Sequence, residues 1–168
     1  DETSPTHPES YRGEIMLQAE ARLLASPLQG TILRLGGIYG PGRTRLVDSV
    51  REGRATLPAE EPIWTNRIHR DDAAGALVPL VELPDPAPLY LGVDRGAAPL
   101  NEVVRWLARA QGVAPPERDP QADRRRGNKR CVSHRLQASG YRFRYPTYRE
   151  GYATLPGVDP TRAGEGRG

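Results

Sequence analysis

The chain has 168 residues, 37% of them apolar, and carries 24 basic against 21 acidic side chains for a formal charge of +3. No apolar run approaches the roughly 18 residues of a membrane-spanning helix, and so mild a basic excess is too weak to imply nucleic acid. One cysteine, Cys131, excludes an internal disulfide and any cysteine-based zinc centre, and His7, His69 and His134 lack metal-ligand spacing.

In chain order, helical and strand patterns alternate, which is the signature of an α/β fold. Residues 13–25 carry Met16, Leu17, Ala19, Leu23 and Leu24 as an apolar stripe at helical spacing, stopped near Ser26-Pro27. Residues 31–35 read as a short strand, and the glycine-laden bend at 36–42 cannot be helix. A helix fits 44–52, with Leu46, Val47 and Val50 apolar and Gly53 as its stop. Residues 63–69 read as one strand. Asp71 or Asp72 should then cap a helix through Val81 that buries Ala73, Ala74, Leu77, Leu80 and Val81.

Leu89 to Val93 is a buried-strand candidate, turned by Asp94-Arg95-Gly96. Pro99 opens the clearest helix: Leu100, Val103, Val104, Leu107 and Ala110 share one face, and Gly112 ends it. Residues 113–130 are polar and basic. A short helix is expected over Ser133–Ser139, and Thr147 with Glu150 has capping-box spacing. From about Pro156 charge, Gly and Pro dominate, which predicts a disordered tail over 156–168.

Four segments carry a family resemblance. Leu33-Arg34-Leu35-Gly36-Gly37-Ile38-Tyr39-Gly40-Pro41-Gly42 resembles the "LR-x-x-x-(V/I)-YGPG" element of the extended short-chain dehydrogenases, the NAD-dependent epimerase/dehydratase family. Asp1-Glu2-Thr3-Ser4-Pro5, Pro8 and the later Ala19-Glu20 look like its "DE-x-x-P … AE" stretch. Ile68-His69-Arg70-Asp71-Asp72 is similar to its "(I/V)H-x-DD" junction, and Leu136, Gly140, Tyr141, Glu150 and Gly151 to its C-terminal close.

The resemblance spans about residues 1–155 and implies the distal part of a Rossmann-type parallel sheet, followed by a small C-terminal α/β subdomain on the substrate side. It also implies NAD or NADP as cofactor, with Leu35, Gly36, Gly37, Ile38 and Tyr39 beside the nicotinamide. The competing reading of 36–42 is a glycine-rich turn that merely packs. Arg43, Asn66, Arg67 and His69 would face the substrate cleft, where guanidinium groups can hold a carboxylate or phosphate. A solvated arginine and a structural histidine are the plainer alternatives.

Two departures shape the functional expectation. No glycine-rich phosphate loop of the G-x-x-G-x-x-G kind is present, and in the family it precedes the position of Asp1. The polar opening at Asp1 therefore reads as the start of a piece cut from a longer protein. The family's Tyr-x-x-x-Lys pair, in which lysine lowers the phenol's pKa, is also missing. Tyr11 is the catalytic candidate, but Ile15 stands four residues on, and a phenol without a cation keeps a pKa of about 10.

The expectation is an atypical NAD(P)-dependent oxidoreductase or epimerase-like protein, binding a dinucleotide and a small-molecule substrate. A non-catalytic dinucleotide-binding or redox-sensing protein and an inactive truncated product are the rivals. No signal peptide is visible, so cytoplasm is the default location, and the oligomeric state is left open. Cys131 reads as a bystander thiol, and the rings of Tyr141, Phe143 and Tyr145 as core cover rather than a base-stacking platform.

Overall fold

A computed structural model describes residues 1–58, 62–119 and 128–164. Helix α1 (Tyr11–Leu24) leads into β1 (Ile32–Leu35) and β2 (Gly37–Tyr39), then α2 (Arg45–Arg51), β3 (Leu57–Pro58), β4 (Trp64–Thr65) and β5 (Arg67–His69). Helices α3 (Arg70–Gly75) and α4 (Leu77–Glu82) precede β6 (Leu89–Gly92), β7 (Ala98–Pro99), α5 (Leu100–Gln111) and β8 (Arg118–Asp119). Three short helices follow: α6 (His134–Ala138), α7 (Tyr148–Tyr152) and α8 (Pro160–Ala163). Strand pairs β1–β6, β2–β5 and β3–β8 are parallel and β4–β7 is antiparallel.

The expected α/β architecture is present, and its best-marked elements follow the sequence closely. Helix α5 buries Val103, Val104, Leu107 and Ala110 in the main core, against Val47 and Val50 of α2 and Tyr148 and Tyr152 of α7. Each of the buried valines and leucines contributes roughly 1.5–3 kcal/mol by leaving water. The capping box at Thr147 and Glu150 is formed in both directions and starts α7. A second, smaller core joins Ala76, Leu80, Tyr90 and Leu136, with Tyr141 and Phe143 packed on it.

Several expectations need correction. The 63–69 strand is two strands, because Asn66 turns the chain between an antiparallel partner and a parallel one. The bend at 36–42 contains β2, which the glycines had masked. The helix after His69 breaks at Ala76, where Pro79 lacks the N–H that the Gly75 carbonyl would need. Its cap is the His69 imidazole rather than Asp71 or Asp72: Nδ1 accepts from the Asp71 N–H at 3.2 Å. Leu80 and Ala73 are buried as expected, whereas Ala74 is exposed, Leu77 is half exposed and Val81 is 84% exposed.

The expected disordered tail does not describe residues 156–164. Val158 and Ala163 are buried, Asp159 caps α8, and the Asp159 N–H docks on the Ala110 carbonyl at 2.9 Å. Residues 165–168 lie outside the described residues, as do Arg124, Arg125 and Arg126 of the basic run.

Helix α1 forms over the expected stripe, yet it buries no residue against this chain. Ile15, Met16, Leu24 and, beyond the helix, Leu28 are exposed, and Leu35 closes β1 at 40% exposure. The apolar stripe of α1 is therefore largely open to solvent. Among the described residues, no helix is long and apolar enough to cross a membrane.

Candidate functional site

The carboxyl ends of β1 and β6 lie side by side and meet the start of β5. The Gly36 N–H donates to the Gly92 carbonyl (2.9 Å), the Gly37 N–H to the Asn66 carbonyl (3.0 Å) and the Asp94 N–H to the Arg67 carbonyl (2.7 Å). A Cβ on Gly36 would stand 3.0 Å from both the Arg67 nitrogen and the Asn66 carbonyl carbon. Backbone atoms held in strands cannot yield, so Gly36 is required by chain packing. The bend nonetheless stays open on one side: Leu35 and Gly37 are exposed, Gly36 and Ile38 half-buried. Tyr39 turns inward and is buried, away from that opening.

Beneath the bend lies a buried polar layer. His69 is held by its cap bond and by Thr154 Oγ1, 3.4 Å from Nε2, with Tyr145 at 4.1 Å and Tyr39 at 5.4 Å between ring centroids. Burial pushes its pKa below the ordinary histidine value. Arg67 is buried as well, its guanidinium 5.6 Å from the Tyr148 ring centroid and its Nη2 bonded to Thr65 Oγ1. Arg67 and His69 are thus buried, packed against α7 rather than presented at the surface.

Asn66 spends both ends of its amide internally. Its Nδ2 donates to the Lys129 carbonyl and its Oδ1 accepts from the Cys131 N–H, each at 2.8 Å. Arg43 is exposed on the turn after β2, and Tyr11 sits 75% exposed at the first residue of α1. Tyr11 is therefore separated from the bend by the length of α1 in sequence and from any cation at its fourth neighbour, Ile15. The structure brings Leu35, Gly36, Gly37 and Ile38 together as one surface and does not add Tyr11, Arg67 or His69 to it.

Two carboxyls read from the sequence only as a cap and a turn residue, Asp72 and Asp94, are buried in the structure. Asp72 is fully buried and accepts from Tyr141 Oη (2.7 Å), the Arg144 N–H (2.7 Å) and the Tyr145 N–H (2.9 Å). It ties the 141–145 segment to α3, a non-local role that no local motif announces. Asp94 was read as a turn residue. Its Oδ1 does accept the Gly96 N–H at 3.1 Å, but Oδ2 is buried with no partner, as are Arg67 Nη1 and Tyr39 Oη.

Burial raises the Asp94 carboxyl to about 7, against the partial relief given by Arg67. Because the folded pKa lies above the unfolded one, the folded state holds the extra proton between about pH 4 and pH 7. Stability is then lost as pH rises through that window, by at most about 4 kcal/mol for a shift of this size. Replacing the carboxyl by its neutral isostere, Asp94→Asn, should flatten this slope and stabilise the protein at pH 8. Urea melts at pH 5 and pH 8 check it; an unchanged slope in the variant rules the carboxyl out as its source.

Among the described residues, no group of three or more His, Cys, Asp and Glu side chains is placed to hold a metal ion.

Comparison with known proteins places this geometry. No protein-family model matches the chain. A candidate NAD-dependent epimerase/dehydratase from Methylobacillus flagellatus is 38% identical and superposes with a TM-score of 0.76 over 92% of this chain and 56% of its own. A conserved protein of unknown function from Silicibacter pomeroyi is 31% identical, with a TM-score of 0.81, over 92% and 58%. A Streptomyces 3-diazoavenalumate denitrifying reductase is 30% identical, covering 80% of this chain and 49% of the relative.

More distant structures, solved with NAD or NADPH and under 25% identical, share the fold alone, with TM-scores from 0.66 to 0.72. The chain spans about half the length of the curated relatives it matches. These likenesses establish an α/β fold that matches Rossmann-type epimerase/dehydratase structures and is aligned to roughly half of each.

Proposed function

We propose that this chain is the nicotinamide- and substrate-side half of an NAD(P)-dependent oxidoreductase or epimerase-like protein that works without a Tyr-x-x-x-Lys pair. The observation that carries the reading is the open end of β1, where Leu35, Gly36, Gly37 and Ile38 offer backbone and apolar surface at the carboxyl edge of a parallel strand pair. Ligands of open α/β sheets bind at that edge. Gly37 leaves room there, since a Cβ on it would meet nothing nearer than the Asn66 carbonyl oxygen at 3.5 Å.

The residues fit the nicotinamide end of a dinucleotide and not its phosphates, because no glycine-rich phosphate loop occurs in these 168 residues. The exposed apolar stripe of α1 is where a nucleotide-binding half would pack, and the half-length alignments support that reading. When bound, the cofactor supplies a hydride donor or acceptor. This chain's share is to seat the ring against Leu35 and Ile38. The name of the Streptomyces relative favours reduction over epimerisation.

The test is a fluorescence titration with NADPH and NADH on the protein made from its whole reading frame. Saturable binding is expected, and Gly37→Val should weaken it by about tenfold, roughly 1.4 kcal/mol, with the fold intact. Absence of saturable binding by either nucleotide sinks the reading. The exposed Tyr11 followed by Ile15 keeps a second reading in play, a dinucleotide-binding sensor. Binding without oxidation of NADPH across aldehydes, ketones and sugar nucleotides would select the sensor.

A further inference from the structure

Asn66 stands between β4 and β5 and belongs to neither strand. β4 pairs antiparallel with β7 and β5 pairs parallel with β2, so the chain changes sheets at this residue. Its main-chain carbonyl receives the Gly37 N–H at 3.0 Å. A Cβ on Gly36 would meet the Asn66 carbonyl carbon at 3.0 Å and its oxygen at 3.1 Å. The Asn66 peptide is thus the floor on which Gly36 and Gly37 of the bend rest.

The side chain anchors that floor. Its Nδ2 donates to the Lys129 carbonyl and its Oδ1 accepts from the Cys131 N–H, each at 2.8 Å. Asn128 repeats the pattern from the opposite side: Oδ1 accepts from the Trp64 N–H and Nδ2 donates to the Pro62 carbonyl, again each at 2.8 Å. Each amide uses its donor and its acceptor at once, joining the C=O of one residue to the N–H of the second residue after it. Two asparagines therefore stitch residues 62–66 to 128–131 reciprocally. The Arg130 guanidinium, 4.7 Å from the Trp64 ring centroid, adds a cation–π contact to the seam. Asn66 carries the seam to the bend, and Asn128 closes it at the far end.

We propose that Asn66 is a positioning residue for the dinucleotide site, its amide using the 128–131 segment to set the peptide against which Gly36 and Gly37 lie. Ligand binding at the bend and the tightness of that segment are then coupled. The ligand in this proposal rests on the function proposed above; the hold on Gly37 does not. Such coupling is reciprocal: what the segment adds to affinity, bound ligand returns as order in the segment.

Cys131, half-buried and with its N–H held by Asn66, reports on the segment. In the protein made from its whole reading frame, saturating NADPH should slow alkylation of Cys131 by N-ethylmaleimide at least threefold, read by peptide mass spectrometry. Asn66→Ala should raise the NADPH dissociation constant about tenfold and lose that protection even at saturation. Asn128→Ala loosens the same seam at its far end, so it should speed alkylation of the free protein yet leave NADPH affinity within twofold. Without nucleotide, hydrogen exchange of the Gly37 amide should accelerate more than tenfold in Asn66→Ala relative to the Leu107 amide of α5, a local effect that general destabilisation does not produce. Asn66→Asp keeps an acceptor for the Cys131 N–H and loses the donor to Lys129. It should fall between wild type and alanine, and it replaces the alanine variant if that one does not fold.

NADPH binding with unchanged Cys131 reactivity overturns the proposal, as does protection that survives Asn66→Ala. Unchanged Gly37 exchange in that variant overturns it as well. Failure of NADPH to bind the wild type sinks the dinucleotide reading instead, and Gly37 exchange then still decides whether Asn66 holds the bend.

Discussion

Asp72→Ala should cost about 3–5 kcal/mol of stability, enough to unfold a marginal domain at growth temperature. The carboxylate is fully buried and satisfies three donors at once: the Tyr141 hydroxyl and the Arg144 and Tyr145 N–H groups. Truncation to alanine strands two backbone donors that belong to no strand ladder or helix, and each unsatisfied group costs about 1–3 kcal/mol. Asp72→Asn should be milder. Its amide oxygen can still serve one side, but its NH2 then faces a donor on the other. Tyr141→Phe removes one bond only and should cost about 1 kcal/mol.

The order Asp72→Ala, then Asp72→Asn, then Tyr141→Phe is the expected ranking in urea denaturation. A loss below 1 kcal/mol for Asp72→Ala shows that the 141–145 segment is held by other contacts. The consequence reaches the bend, because Tyr145 covers the His69 ring and His69 caps α3.

Local pattern carried the elements whose information is local. Helix α5 has its apolar face written at 3.6-residue spacing between Pro99 and Gly112, and α7 announces itself by the reciprocal cap of Thr147 and Glu150. Helix α8 was missed because Val158 and Ala163 are two apolar residues in a polar stretch. What fixes it is a distant carbonyl, Ala110, on which Asp159 docks.

The stripe on α1 was read correctly as a helix, but periodicity says which side is apolar and never what covers it. The same limit governs the site. Leu35 to Tyr39 could be picked out from the glycines and from a family motif, but whether each side chain points outward or inward depends on pairing with β5. That pairing sends Tyr39 and Arg67 into the interior.

Gly151→Ala is expected to be the second most damaging single change, at about 3 kcal/mol, with the cost arising from overpacking. A Cβ at 151 would fall inside the contact distance of Tyr39 Oη and stand 2.6 and 2.8 Å from ring carbons Cζ and Cε2. Tyr39 has little room to retreat. Its ring is packed against Tyr152 at 4.3 Å and against His69 at 5.4 Å, in the same core as α5. Tyr39→Phe therefore cannot rescue Gly151→Ala, because the offending carbons remain, whereas Tyr39→Ala should recover part of the loss in a double-mutant cycle.

The coupling has a functional reading that a purely structural defect lacks. Tyr39 ends β2, three residues from Gly36, so displacing its ring should move the Leu35–Ile38 surface as well. Under the dinucleotide reading, Gly151→Ala at a temperature where it stays folded should raise the NADPH dissociation constant several-fold although residue 151 touches no proposed ligand contact. Unchanged affinity in the folded variant would show that α7 props the core without shaping the bend.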